Sequence, residues 1–135
     1  MAHDGTPFQL LYVSHLAAGR DFAVMKAIGV GSRLHNRSRN LTGALLFDGE
    51  RFCQLIEGAE HDVRALMERI AIDPRHTAVQ VLFAGPARAG GRMTQRWASG
   101  YCEPGRLDAF SAAHGVTSDA AVDSFATILA IADME

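Results

Sequence analysis

An α+β fold in one domain, with elements in the order β-α-β-β-α-β, is what this sequence predicts, and three observations carry that reading. Short apolar runs at 8–14, 42–48, 51–57 and 78–84 have strand length and are bounded by Gly, Pro or Asp. Two stretches with apolar residues every three or four positions, 20–33 and 60–72, alternate with those runs. The length of 135 residues suits a single core, since domains typically take about 100–200 residues.

The first run, Phe-Gln-Leu-Leu-Tyr-Val-Ser at 8–14, follows Pro7 and reads as a buried strand. In 20–33, Phe22, Met25, Ile28 and Gly29 share one helical face, leaving Lys26 and Arg33 outward or toward a ligand. Residues 34–40 are polar and basic, a loop. Asp48-Gly49 between the runs at 42–48 and 51–57 is the strongest local signal, a β-hairpin. Period-two alternation in its second strand places Phe52, Gln54 and Ile56 on one face and Cys53 and Leu55 on the other.

Val63, Leu66, Met67 and Ile70 mark the second helix, which Asp73-Pro74 closes. The run 78–84 is a fourth strand, and 97–102 a fifth beyond the Gly85-Pro86 and Gly90-Gly91 loop. After Pro104 the pattern is helical at 107–114 and again at 118–133, where Val122, Phe125, Ile128 and Leu129 form an apolar stripe. The order is the ferredoxin-like one: a sheet carrying two helices on one face, here with an extra fifth strand and C-terminal helices. Residues 1–104 form the expected domain and 105–135 a helical extension, whose stripe packs on its own sheet or on another chain.

Composition narrows the function. The charge of −2 from 13 basic and 15 acidic residues argues against a nucleic-acid binder. No apolar run nears the roughly 18 residues of a membrane span, and Met1–Pro7 lacks a signal-peptide pattern. A cytoplasmic protein is expected, with Cys53 and Cys102 as free thiols. Phosphate-loop, dinucleotide-fingerprint and zinc-ligand spacings are missing, so no metal is expected.

What stands out is a set of polar residues on elements expected to be buried: Tyr12 mid-strand, Asn36 after the first helix and Gln54 in the hairpin. In the ferredoxin-like order the first strand neighbours the strand of Gln54, so the two side chains can meet. A phenol and two carboxamides offer donors and acceptors without charge near neutral pH. That set suits a flat, neutral heterocycle bearing imide and carbonyl groups; satisfied core polars would give the same pattern.

Four segments carry a resemblance. They are Leu11-Tyr12-Val13-Ser14, the stretch from His35-Asn36 to Asn40-Leu41-Thr42-Gly43-Ala44-Leu45-Leu46-Phe47, Gly49-Glu50-Arg51-Phe52-Cys53-Gln54-Leu55-Ile56-Glu57-Gly58, and Ile70-Ala71 through Asp73-Pro74-Arg75-His76. In this order and spacing, from about Phe8 to Tyr101, the chain resembles the BLUF family, sensors of blue light using FAD. The resemblance implies a flavin between the two helices, FAD or alternatively FMN. It implies that Tyr12 is the photochemical electron and proton donor and that Gln54 links it to the ring.

By the same resemblance Asn36 holds the imide edge, His35 flanks the ring, and Ile28 and Ile70 pack on its faces. Ser32, Arg69 and Asp73 line the site, while Arg75 and His76 match positions near the pyrophosphate, where a guanidinium fork suits phosphate oxygens. Light would drive an electron and a proton from Tyr12, and recombination would leave the Gln54 carboxamide rotated or tautomerised, shifting absorption to the red. Signal output would pass through the fifth strand at Trp97 and Ser99; the family often places Met where Ser99 stands. With roughly thirty residues after Pro104, the reading expects no enzyme activity and an output through a homo-oligomer or a downstream protein. The alternatives are a flavin-free regulatory module and a small acylphosphatase-like hydrolase.

Overall fold

The computed structural model describes residues 6–19, 40–87, 90–110 and 118–134. Among them β1 (Phe8–Leu16), β2 (Thr42–Phe47), β3 (Arg51–Gly58), β4 (His76–Pro86), β5 (Trp97–Tyr101) and β6 (Asp133–Met134) form one sheet. Its spatial order is β4-β1-β3-β2-β5-β6. All neighbours run antiparallel except β2 and β5, which are parallel. The two helices are α1 (Glu60–Ala71) and α2 (Ser118–Ile131), with a 3₁₀ turn at Arg106–Phe110. The expected first helix, 20–33, and the loop after it to residue 39 lie outside the described residues.

β1 and β3 are central strands, which is why both read as almost unbroken apolar runs. β4 lies at the edge and is exposed or half-buried along most of its length, and its ends, at residues 76–77 and 85–86, carried less apolar signal than its middle. The β2–β3 hairpin turns at Gly49, whose φ is +97°, a left-handed value that glycine takes without strain. Asp48 braces that turn. Its buried carboxylate accepts from the Glu50 and Arg51 amides at 3.0 and 2.8 Å, and from the Leu107 amide at 3.0 Å. One side chain therefore ties the hairpin to the 3₁₀ turn. Asp48→Ala is expected to cost about 1–3 kcal/mol by stranding these donors, read as a lowered urea midpoint; an unchanged midpoint would show that water satisfies them.

The sheet separates two apolar layers. On one face α1 lays Val63 and Leu66, with Met67 and Ile70 beside them, against Phe8, Leu10, Tyr12, Ile56 and Trp97. On the other face Val122, Phe125 and Ile128 of α2, with Leu107 and Phe110, cover Leu11, Val13, Ala44, Leu46, Cys53 and Leu55. The stripe of the last helix is thus spent on its own sheet. Each such large apolar side chain contributes about 1.5–3 kcal/mol when buried.

Two features differ from the sequence expectation. The segment read as an α-helix from 107 is a 3₁₀ turn of five residues, Arg106–Phe110, as far as the described residues run. Its Leu107 and Phe110 are both buried, a spacing of three that suits the tighter helix. The last helix stops at Ile131 rather than 133, and Asp133–Met134 pairs with Gly100–Tyr101 of β5. Met134 and Asp133 crowd Gly100 so closely that a Cβ there would overlap both. The free edge of β5 draws those residues out of the helical pattern, because an unpaired strand edge leaves backbone groups to satisfy.

Candidate functional site

Register brings the first two candidates together. Tyr12 of β1 pairs with Gln54 of β3, and alternation aims both at the α1 face. Each is 2% exposed, and the Tyr12 phenol O–H donates to Gln54 Oε1. Burial pushes the phenol far above the ordinary tyrosine range, with Cys53 and Asp73 acting in the same direction and Arg75 against it. Tyr12 is therefore a neutral donor across the physiological range. With the carbonyl end of Gln54 taken, its amide Nε2 is the end left for another acceptor.

The same row continues across the sheet through Leu45 of β2 to Ser99 of β5. Ser99 is buried on this face but stands two strands from Gln54, with Leu45 between them. One step along, the row is Leu10, Ile56, Gly43 and Trp97. Trp97 packs inward within the α1-side core, 8% exposed. Its indole Nε1–H is buried without a hydrogen-bond partner among the described residues. A stranded donor of this kind costs about 1–3 kcal/mol and marks a place where an acceptor fits.

Trp97 lies over Gly43, and glycine is required there. A Cβ on Gly43 would overlap the Leu55 carbonyl oxygen and come within 2.8 Å of Trp97 Cζ3. Gly43 thus belongs to the site although sequence reasoning took it only as part of a motif; a glycine inside an apolar strand was the available signal.

The end of α1 and the start of β4 form the next part. Ile70 is half-buried against the α1-side core, and Arg69 is exposed on the last helical turn. Asp73 and Arg75 make a forked ion pair, with Arg75 Nε 3.0 Å from both carboxylate oxygens and Nη2 2.5 Å from Oδ2. The Arg75 hydrogen bonds hold the Asp73 carboxyl below the usual range, against a smaller opposing effect of burial. A carboxyl so lowered stabilises the fold above its unfolded pKa and loses that contribution as pH falls through the folded value. Wild type should therefore lose stability faster than Asp73→Asn as pH falls below about 4, in acid titrations followed by circular dichroism. Parallel curves would show that solvent screens the pair, which is partly exposed.

His76 has a different setting from the phosphate neighbourhood that the resemblance implies. It is buried, its Nδ1 is 2.8 Å from Ser14 Oγ and its Nε2 is 2.7 Å from the Ile70 carbonyl oxygen. A carbonyl only accepts, so Nε2 carries the proton and, in the neutral ring, Nδ1 accepts from the Ser14 hydroxyl. The ring meets Tyr12 and Phe52 edge-on at 6.1 and 6.2 Å. His76 thereby joins the end of α1 to β1, two residues from Tyr12. Ile28, Ser32, His35 and Asn36 lie outside the described residues.

Sequence reasoning missed Glu57. It closes β3 with no exposure, and its carboxylate is surrounded by donors. An acidic residue beside Gly58 at a strand end reads as solvated, and two of its partners lie 36 and 37 positions away. Among the described residues no group of three or more His, Cys, Asp or Glu could hold a metal, and no helix is long and apolar enough to cross a membrane. What converges on the α1 face is a phenol, a carboxamide and an indole N–H, all neutral, which match the carbonyl and imide edge of a flat heterocycle.

Comparison with known proteins agrees with that chemistry. The profile for BLUF, sensors of blue-light using FAD, matches residues 8–100. The chain is 33% identical over 85 residues to the blue light- and temperature-regulated antirepressor BluF of Escherichia coli (strain K12), covering 62% of this chain and 21% of that protein. It is 39% identical over 64 residues to photoactivated adenylate cyclase subunit alpha of Euglena gracilis, covering 47% of this chain and 6% of that one. It thus spans about a fifth or less of these relatives' lengths. The dark-state structure of the BLUF protein BlrB superposes with a TM-score of 0.72 at 25% identity, covering 93% of this chain and 96% of that one. With its sheet, its buried Tyr12–Gln54 pair and a match running from β1 through most of β5, this chain belongs to the BLUF family of flavin-based blue-light sensors.

Proposed function

We propose that this chain senses blue light through the Tyr12–Gln54 pair and signals by changing protein contacts rather than by turning over a substrate. The observation that carries the reading is the buried phenol-to-carboxamide hydrogen bond on the α1 face. When bound, the flavin supplies a blue-absorbing one-electron oxidant. Tyr12 keeps its proton on the phenol oxygen and gives Gln54 its hydrogen-bond direction. A carboxamide has two ends of nearly equal shape and opposite polarity, and a phenol oxygen can accept as well as donate. Gln54 therefore has two orientations, both satisfiable by Tyr12, and each presents a different end to the ring edge. That is a bistable element in the sense a switch requires.

Around it, Asn36 and His35 are assigned to the ring edge, Ile28 and Ile70 to its faces, and Ser32, Arg69 and Asp73 to the lining. Arg75, forked to Asp73 through Nε and Nη2, is assigned to the phosphate end. His76, with both nitrogens engaged, is assigned to hold Ile70 and β1 in place. FAD is the cofactor proposed, with FMN the other candidate. Residues 1–104 are assigned to flavin binding and 105–135 to an extension that caps the second sheet face. The output we assign to β5, through Trp97 and Ser99, acting on a second copy of the chain or on a downstream protein in the cytoplasm.

Purified protein tests this. It should be yellow, with a blue-region band that shifts to the red on illumination and returns in the dark, and extraction should identify FAD or FMN. A flavin-loaded protein whose spectrum does not move in light would overturn the reading.

A further inference from the structure

We propose that Glu57 is a positioning residue of the switch, a buried carboxylate that fixes where β5 begins and so seats Trp97 beside the flavin-facing core. This rests on the light-sensing reading above for its role in signalling, and on geometry alone for the seating itself. Glu57 has no exposed surface. Its Oε2 accepts from Gln9 Nε2 and from the Met93 amide, each at 2.7 Å. Its Oε1 accepts from the Thr94 amide at 2.8 Å and from Thr94 Oγ1 at 2.5 Å. All four partners are neutral donors, two of them backbone N–H groups of the segment leading into β5.

Arg92 adds a second hold on the same segment without touching the carboxylate. Its guanidinium donates to Thr42 Oγ1 at 2.7 Å, to the Asn40 carbonyl at 2.9 Å and to the Glu57 main-chain carbonyl at 3.2 Å. Residues 92–94 are thus clamped to the start of β2 and the end of β3, and through Glu57 to Gln9 of β1, three residues ahead of Trp97. β5 has few other constraints: a parallel pairing with β2 on one side and the two-residue β6 on the other. Parallel pairing is slightly weaker per residue than antiparallel, so the clamp sets the register and depth of the strand. The indole then lies over Gly43 because the chain reaches Trp97 from a fixed point. A buried acceptor with several donors is costly to lose, since each donor left unpaired keeps its full desolvation penalty.

Glu57→Gln keeps the size and one carbonyl acceptor but turns the other end into a donor facing donors. Thr94→Val removes only the hydroxyl partner. In the dark, Glu57→Gln should speed amide hydrogen exchange across 97–99 roughly tenfold, in keeping with a locally opened strand, and red-shift the emission of Trp97, the chain's single tryptophan. Thr94→Val should move both in the same direction by less. In light, the flavin band should still shift in both variants, while the light-induced change in Trp97 emission falls by half or more in Glu57→Gln. Asp48→Ala serves as a control, loosened at the hairpin with the clamp intact, and should leave Trp97 emission as in wild type.

Unchanged exchange and emission in both variants would overturn the proposal, as would the same changes in Asp48→Ala. Loss of the flavin shift in Glu57→Gln with Trp97 still seated would also overturn it. A wild-type protein with no light response would instead remove the light-sensing reading, leaving the dark-state seating of Trp97 to be judged by the first two measurements.

Discussion

Tyr12→Phe is expected to bind flavin and to lose the red-shifted state altogether. The ring of phenylalanine fills the same space on the α1 face of the sheet, so the apolar packing around residue 12 survives. What disappears is the O–H that donates to Gln54 Oε1, and with it both the direction imposed on the carboxamide and the exchangeable proton. Gln54 is 2% exposed, so its stranded oxygen costs about 1–3 kcal/mol, a loss the fold can carry. Light-minus-dark absorption spectra check this. A shift of normal size in Tyr12→Phe would remove Tyr12 from its assigned role.

Gly43→Ala is expected to be the most damaging single methyl group that can be added to the sheet. The new Cβ overlaps the Leu55 carbonyl oxygen, which is backbone in the central strand β3 and cannot move without disturbing the sheet. It also presses on Trp97 at Cζ3, so the indole must leave its place over β2. Overpacking costs about 1–3 kcal/mol and sometimes more, and disturbed ladder bonds add to it, so a loss of about 3 kcal/mol or more is expected. Urea unfolding followed by circular dichroism, with Trp97 emission as a local probe, measures both parts. Wild-type stability with a red-shifted emission would mean that the side chain yields and the backbone does not.

Much of this was legible in the sequence because the informative residues obey simple periods. Alternation in β3 placed Gln54 opposite Cys53 and Leu55, and the Asp48-Gly49 hairpin together with the ferredoxin-like strand order put that strand beside Tyr12. The stripe of Val122, Phe125 and Ile128 was equally plain, and the sheet's second face claims it. The unreadable parts depend on distant partners. Asp133–Met134 becomes a strand because β5 offers an edge, and nothing local to those two residues says so. Glu57 stood only as one residue of a motif at the end of an apolar run, and only the fold brings residues 93 and 94 against it. His76 followed a turn and read as a phosphate neighbour, whereas Ser14 and the Ile70 carbonyl occupy its two nitrogens.

The most direct measurement is an infrared difference spectrum between light and dark, taken on protein loaded with flavin isotopically labelled at carbon 4. If the amide of Gln54 changes which end it offers, the hydrogen bonding of the ring edge changes with it, so the labelled carbonyl stretch moves on illumination, and the movement vanishes in Gln54→Leu. A labelled carbonyl that stays in place while the visible band shifts to the red would contradict the account.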